Sequence, residues 1–315
     1  MCRRCQLGGH DMGNGTVEAP RSVWVRRLIP LTIIGACLVI IAGCAGPSST
    51  KDPGKPAGPE QYSSVSDMLA QHPFYVAHRG GSATWPEYSM SAYENSVKWG
   101  MGALELSVNR TSDGVFFGLH DATLDRTSDV TGNINPNTIT WDHLVSTYKN
   151  KLNAPTPAGV DYTKASDVFA AYAKDHVIFV DTKYIGNTQQ RIDLINLMLS
   201  YASADHWVLK GYYNDATLTP LAHQYDIQTW GYYFARDLTN FSQTYPNWDM
   251  LGVELSASSD QWKRATDTGK PVIAFFINNQ ADLNAALAKG AAGVMVSDVP
   301  ATLSTPRMQT QSAVG

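Results

Sequence analysis

Two histidines stand where two apolar runs end. Phe74 to Ala77 leads into His78-Arg79-Gly80, and Val115 to Leu119 leads into His120-Asp121. Between them, Ala103-Leu104-Glu105-Leu106-Ser107 alternates with a period of two, which puts Glu105 and Ser107 on one face of a strand and the leucines on the other. The same i, i+2 spacing recurs at Asp181 and Lys183, directly after the apolar run Val177 to Val180. An imidazole titrates near pH ~6.5, so one ring can accept a proton while the other gives one without large tuning. Arg79 adds a planar fork of donors that suits phosphate oxygens, and Gly80-Gly81 lets backbone approach closely. A proton acceptor, a proton donor and an anion clamp converging on one point are what cleavage of a phosphodiester requires.

Plainer readings compete at each position. Arg79 could close a salt bridge at a barrel rim, and Asp181 with Lys183 could be an ion pair at a strand end. Asp121 either orients His120 or belongs to a surface turn. Glu87, after Pro86, is either a polar site residue or a helix-start charge. Glu254, near another strand end, is a further carboxylate that could face the same centre.

These residues must be held by strands. Phe74 to Ala77, the helically spaced Pro86 to Trp99 and the strand at Ala103 give a parallel pair joined by a right-handed crossover. Ala122 to Asp161 is polar and turn-rich, with one helical piece around Trp141 to Tyr148, and is too long for an ordinary loop. Helical patterns then follow at Ala165 to Lys174 and Gln189 to Tyr201. Strands are expected at Val177 to Val180, Trp207 to Leu209, Thr229 to Tyr232, Met250 to Leu255, Val272 to Phe276 and Gly293 to Val296. With the first two these make eight parallel strands, an α/β fold of (β/α)8 TIM-barrel class with an insertion after the early strands, spanning residues 61–306 before a tail at 307–315. The 315 residues are 43% hydrophobic and 17% charged, with a formal charge of −4, so neither disorder nor nucleic-acid binding is indicated.

The beginning of the chain reads differently. Arg21, Arg26 and Arg27 precede an apolar run from Leu28 to Gly43, which is shorter than the roughly 20 residues of a comfortable membrane span. It ends in Ile41-Ala42-Gly43-Cys44, which resembles a bacterial lipobox. The expectation is a signal peptide over 1–43, lipidation of Cys44, a Pro/Gly/Ser tether over 44–60 and anchorage at the extracytoplasmic membrane face; an uncleaved anchor is the alternative. The polar stretch before Arg21 is long for a signal and points to Met12 as the start. An acidic body would not adhere to an anionic membrane unaided, so the lipid must hold it. All four cysteines, Cys2, Cys5, Cys37 and Cys44, lie in this region, and Cys2-x-x-Cys5 lacks the second pair of a zinc site.

The ordered set HRG, PE, GALELS, TSDG and HD followed by LDRTSDVTG resembles the glycerophosphodiester phosphodiesterases, over about Phe74 to Pro300 and most strongly before Gly132. The resemblance implies His78 and His120 as acid and base, with Arg79 and Lys183 on the substrate phosphate and Glu87 in the site. It also implies one divalent cation, Mg²⁺ or Ca²⁺, held by Glu105, position 107 and Asp181, and an insertion lying over the mouth. Ser107 stands where the family has aspartate, Tyr88 where it has asparagine, Asp181 where it has glutamate and Ser297 where it has threonine. Two carboxylates are few for a tight site, so water and substrate oxygens would complete it. The implied activity is hydrolysis of glycerophosphodiesters to glycerol phosphate and an alcohol. A related phospholipase C or sphingomyelinase D type is an alternative, because Asp181-x-Lys183 also resembles the latter. So is a metal-depleted binding lipoprotein, for which Ser107 speaks. Trp85, Tyr88, Tyr184 and Phe276 could stack on a choline.

Overall fold

The computed structural model describes residues 62–303. Their strands, in chain order, are β1 (Phe74–Ala77), β2 (Ala103–Arg110), β3 (Phe116–Gly118), β4 (Val177–Asp181), β5 (Trp207–Tyr212), β6 (Gln228–Tyr233), β7 (Met250–Glu254), β8 (Val272–Ile277) and β9 (Gly293–Val296). All except β3 pair in parallel, and β1 bonds to both β9 and β2, which closes an eight-stranded barrel. The expected (β/α)8 architecture forms, with helices such as Met90–Lys98 and Thr188–Leu199 connecting the strands.

Strands in such a barrel are buried on both faces, which is why they read as near-continuous apolar runs like Val177-Ile178-Phe179-Val180. Phe74, Val76, Ala103, Val177, Phe179, Val208, Trp230, Met250, Ile273, Phe275 and Met295 fill the interior, joined by Tyr62, Val65 and Met68 of the segment before β1. The alternate residues, among them Leu104, Leu106, Val180, Leu209 and Val253, pack outward in a cluster with helix residues such as Tyr93, Leu194 and Trp262. Each aliphatic or aromatic side chain so buried contributes about 1.5–3 kcal/mol.

The apolar run at Val115 to Leu119 is not a barrel strand. Thr111-Ser112-Asp113-Gly114 turns the chain back, with Gly114 at φ 93°, and β3 pairs antiparallel with β2. β5 extends three residues beyond the expected Leu209, so Lys210 lies within the strand. The insertion holds two short α-helices, Asp125–Ser128 and Trp141–Thr147, and a 3-10 turn at Pro136–Thr138 in place of the single expected helix, beside an apolar cluster of Phe117, Leu119, Leu124, Leu144 and Tyr162. No helix among the described residues is long and apolar enough to cross a membrane. The expected signal (1–43), Cys44, the tether (44–60) and the tail (307–315) lie outside the described residues.

Candidate active site

Strand register assembles the centre. Ser107 of β2 pairs with Asp181 of β4, Asp181 with Lys210 of β5, and Lys210 with Trp230 of β6. Partners across parallel strands share a face, so this row projects into the barrel beside Glu105, two residues back on β2. Lys210 Nζ donates to Glu105 Oε1 at 2.8 Å and lies 3.3 Å from Asp181 Oδ2. Lys183 Nζ is 3.4 Å from the same Asp181 oxygen. Burial opposes charge on Asp181, but Lys183 and then Lys210 overcome it and hold the carboxyl at about 2.

His78 follows β1 in a tight turn. Arg79 has φ 52°, a left-handed conformation uncommon outside glycine, and it turns the Arg79 backbone N–H toward Glu105 Oε2 at 2.8 Å. The Arg79 side chain donates from Nε to His78 Nε2 at 3.1 Å and from Nη1 to Glu87 Oε2 at 2.9 Å. Because arginine only donates, His78 Nε2 is an acceptor, and the His78 proton sits on Nδ1, which donates to Ser297 Oγ at 2.9 Å. Burial first, then Arg79 and Lys210, push the His78 pKa well below the usual histidine value. The ring is a neutral imidazole stacked on Phe276 at 4.2 Å.

His120 lies two residues past β3, and its Nδ1 bonds to Asp121 Oδ1 at 2.8 Å. Burial lowers its pKa, while the Asp121 bond works to raise it. Asp121 in turn receives Arg126 Nε at 2.5 Å, and Arg126 Nη2 reaches Glu87 Oε1 at 2.5 Å. Glu87 is thus a polar residue of the site, a buried bridge between Arg79 and Arg126, and not a helix-start charge. Asp121 orients His120.

His78, His120, Lys183 and Lys210 line one cleft with Trp230, Tyr232, Phe234, Phe275 and Phe276. A second, open cleft lined by Lys183, Tyr184, Tyr212, Tyr232 and Phe234 adjoins it through shared residues. Of the aromatic residues expected to stack on a ligand, Phe276 and Tyr184 stand at these clefts, whereas Tyr88 is buried and Trp85 packs over Gly81.

The expected metal ligands are gathered, but not as a metal site. Ser107 Oγ donates to Glu105 Oε1 at 3.0 Å instead of facing an open position. Glu254, the possible substitute, accepts the backbone N–H of Ala235 at 2.8 Å. Between Glu105 and Asp181 stands the Lys210 ammonium, and among the described residues no three Asp, Glu, His or Cys side chains form a group that could hold an ion. The residues present do not fit Mg²⁺ or Ca²⁺.

Three participants are not marked as site residues by the sequence: Lys210, Arg126 and the Ser297 hydroxyl. A lysine inside the apolar run Trp207-Val208-Leu209-Lys210-Gly211-Tyr212 is the available signal for the first, because lysine is rarely fully buried unless paired.

Residues 78–196 match the model of the Glycerophosphoryl diester phosphodiesterase family. The chain is similar to the "Probable glycerophosphodiester phosphodiesterase 1" of Mycobacterium tuberculosis, 44% identical over 75 residues, covering 24% of this chain and 27% of that protein. It is also similar to glycerophosphodiester phosphodiesterase 1 of Homo sapiens, 44% identical over 59 residues, 19% of this chain and 18% of that one. The matched stretch therefore spans about a quarter or less of these curated relatives. Among solved structures, an Oleispira antarctica phosphodiesterase in complex with the product sn-glycerol-3-phosphate aligns with TM-score 0.63 at 18% identity, over 74% of this chain and 95% of that one. A Glycerophosphoryl diester phosphodiesterase from Parabacteroides distasonis aligns with TM-score 0.58 at 16% identity, over 78% and 93%. These structural likenesses carry the barrel fold.

Proposed function

We propose that this chain, which belongs through residues 78–196 to the glycerophosphoryl diester phosphodiesterase family, hydrolyses glycerophosphodiesters to glycerol phosphate and an alcohol. One observation carries the reading: two imidazoles of different electrostatic surroundings face one cleft across a pair of ammonium groups. His78, buried beside Arg79 and Lys210, is the neutral ring and acts as base once the substrate draws Arg79 Nε away from its Nε2. It takes a proton from the attacking water, whose oxygen bonds to phosphorus. As the new P–O bond forms and the ester P–O bond breaks, His120 gives its proton to the leaving alkoxide. Asp121 favours the protonated form of that ring and fixes its orientation. Arg79, Lys183 and Lys210 converge on the phosphoryl oxygens, where charge develops.

The assay is release of glycerol phosphate by the purified protein from glycerophosphocholine, glycerophosphoglycerol and intact phospholipid. Release from the first two and not the third is expected. Cleavage confined to intact phospholipid would transfer the chain to the phospholipase reading, and no cleavage of any diester would remove the catalytic one.

We place the reaction at the outer face of the cell membrane, held by a lipid on Cys44, on the strength of the Ile41-Ala42-Gly43-Cys44 run alone. Cys44→Ala should leave the protein unprocessed or release it into the soluble fraction, read by fractionation and mass spectrometry of the chain's new first residue. Normal lipidation of the variant would disprove the anchor.

A further inference from the structure

We infer that the Lys210 ammonium takes the place of the divalent cation in this centre, so that the chain works with a built-in cation and no bound metal. What that cation does follows from the hydrolytic reading above; where it sits follows from geometry alone. Lys210 Nζ lies 2.8 Å from Glu105 Oε1 and 3.3 Å from Asp181 Oδ2, on a side chain only 6% exposed. Mg²⁺ sits about 2.0–2.1 Å and Ca²⁺ about 2.3–2.6 Å from its oxygen ligands. An ion bridging these two carboxylates would overlap the ammonium.

Charge excludes it as well. Glu105 and Asp181 already face two ammonium groups, since Lys183 also pairs with Asp181. A dication added to this balanced, buried cluster would bring two charges that nothing offsets, which burial penalises heavily. Ser107 points the same way: it is neutral where the resembled family has an aspartate, and its hydroxyl is spent on Glu105. One negative ligand fewer on β2 and one positive side chain on β5 change the cluster in the same sense.

The ammonium is also built in place. The Trp230 and Tyr232 rings flank it at 5.5 and 5.3 Å, a favourable setting for a cation. Trp230 reaches that position because Gly252 has no side chain; a Cβ there would sit 2.4 Å from the indole. Lys210 Nζ donates a hydrogen bond to Glu105, is ion-paired with Asp181 at 3.3 Å, and lines the cleft with His78 and His120. From there it can neutralise a phosphoryl oxygen as charge builds. It cannot acidify a bound hydroxyl as a metal does, so that task falls to the imidazole.

Calorimetric titration of Mg²⁺ and Ca²⁺ into the full, chelator-treated chain tests the inference, with glycerophosphocholine turnover followed in parallel. No saturable binding and no loss of turnover in EDTA are expected. The double variant Ser107→Asp, Lys210→Ser should gain a saturable site, seen as heat and as a rise in melting temperature with added Ca²⁺. A wild-type chain that binds one dication, or that loses turnover in EDTA and regains it with Mg²⁺ or Ca²⁺, overturns the inference while leaving the hydrolase reading intact. If no diester is cleaved, the hydrolase reading falls, and the titration still decides for or against the ammonium. Should the double variant not fold, the wild-type titration is sufficient by itself: saturable binding refutes the built-in cation and its absence supports it.

Discussion

Turnover of the best glycerophosphodiester falls by about 10²–10⁴ in His120→Ala, and by a similar factor in His78→Ala, the usual scale of a general acid or base. Far-UV circular dichroism should stay unchanged, because both rings stand at the cleft and not in the apolar interior. The pH profile of kcat/KM in the wild type separates the roles. A base must be deprotonated, so activity rises with pH through the pKa of His78; an acid must be protonated, so activity falls as pH rises through that of His120. Burial lowers both values below the usual histidine range, and the bell should therefore centre on the acid side of pH ~6.5. In His120→Ala the falling limb should vanish. A falling limb that persists in the variant would assign the acid to another group, with Lys183 next in reach of the cleft.

Glu105→Ala should be the most destabilising single change at the site, by about 3–5 kcal/mol. It removes the closest counter-charge of the buried Lys210 and leaves the Arg79 backbone N–H and the Ser107 hydroxyl without their acceptor. Urea unfolding reads it as a lower midpoint with the same slope. Glu94→Ala is the control: that carboxylate pairs with Lys98 on an exposed helix face, and exposed pairs are worth about 0–1 kcal/mol. Equal midpoints for the two variants would mean that Glu105 is not the keystone of the charge cluster.

The barrel is legible in the sequence because each buried strand must be apolar for several residues and each connection must allow a return helix. His78, Arg79, Glu105, His120, Asp181 and Lys183 are legible because motifs place them within or just after apolar strand-like runs, and the structure brings their side chains together. Lys210 escapes such a reading for a specific reason. Apolar character breaks after Leu209, which predicts the end of the strand, yet the strand continues because Lys210 finds two carboxylates and two aromatic rings across the register. That partnership joins residues 105, 181, 210 and 230, which local periodicity cannot relate. Arg126 is hidden likewise, since its partner Glu87 lies 39 residues away. The Val115 to Leu119 run does lead to His120, but the turn at Gly114 decides its direction and apolarity does not.

The insertion over 122–161 packs Leu124, Leu144 and Trp141 against Phe117 of β3, and polar ties hold it as well: Arg126 to Glu87 and Asp121, Asn150 to the Glu87 carbonyl, Asn153 to that of Ser82, and the Trp141 backbone N–H to Asp113. A part constructed this way is exchangeable. Exchanging the segment over 122–161, with an arginine kept at position 126 and an apolar residue kept against Phe117, should leave the eight-stranded barrel folded, so this stretch of the gene can vary while the strands that hold the site do not.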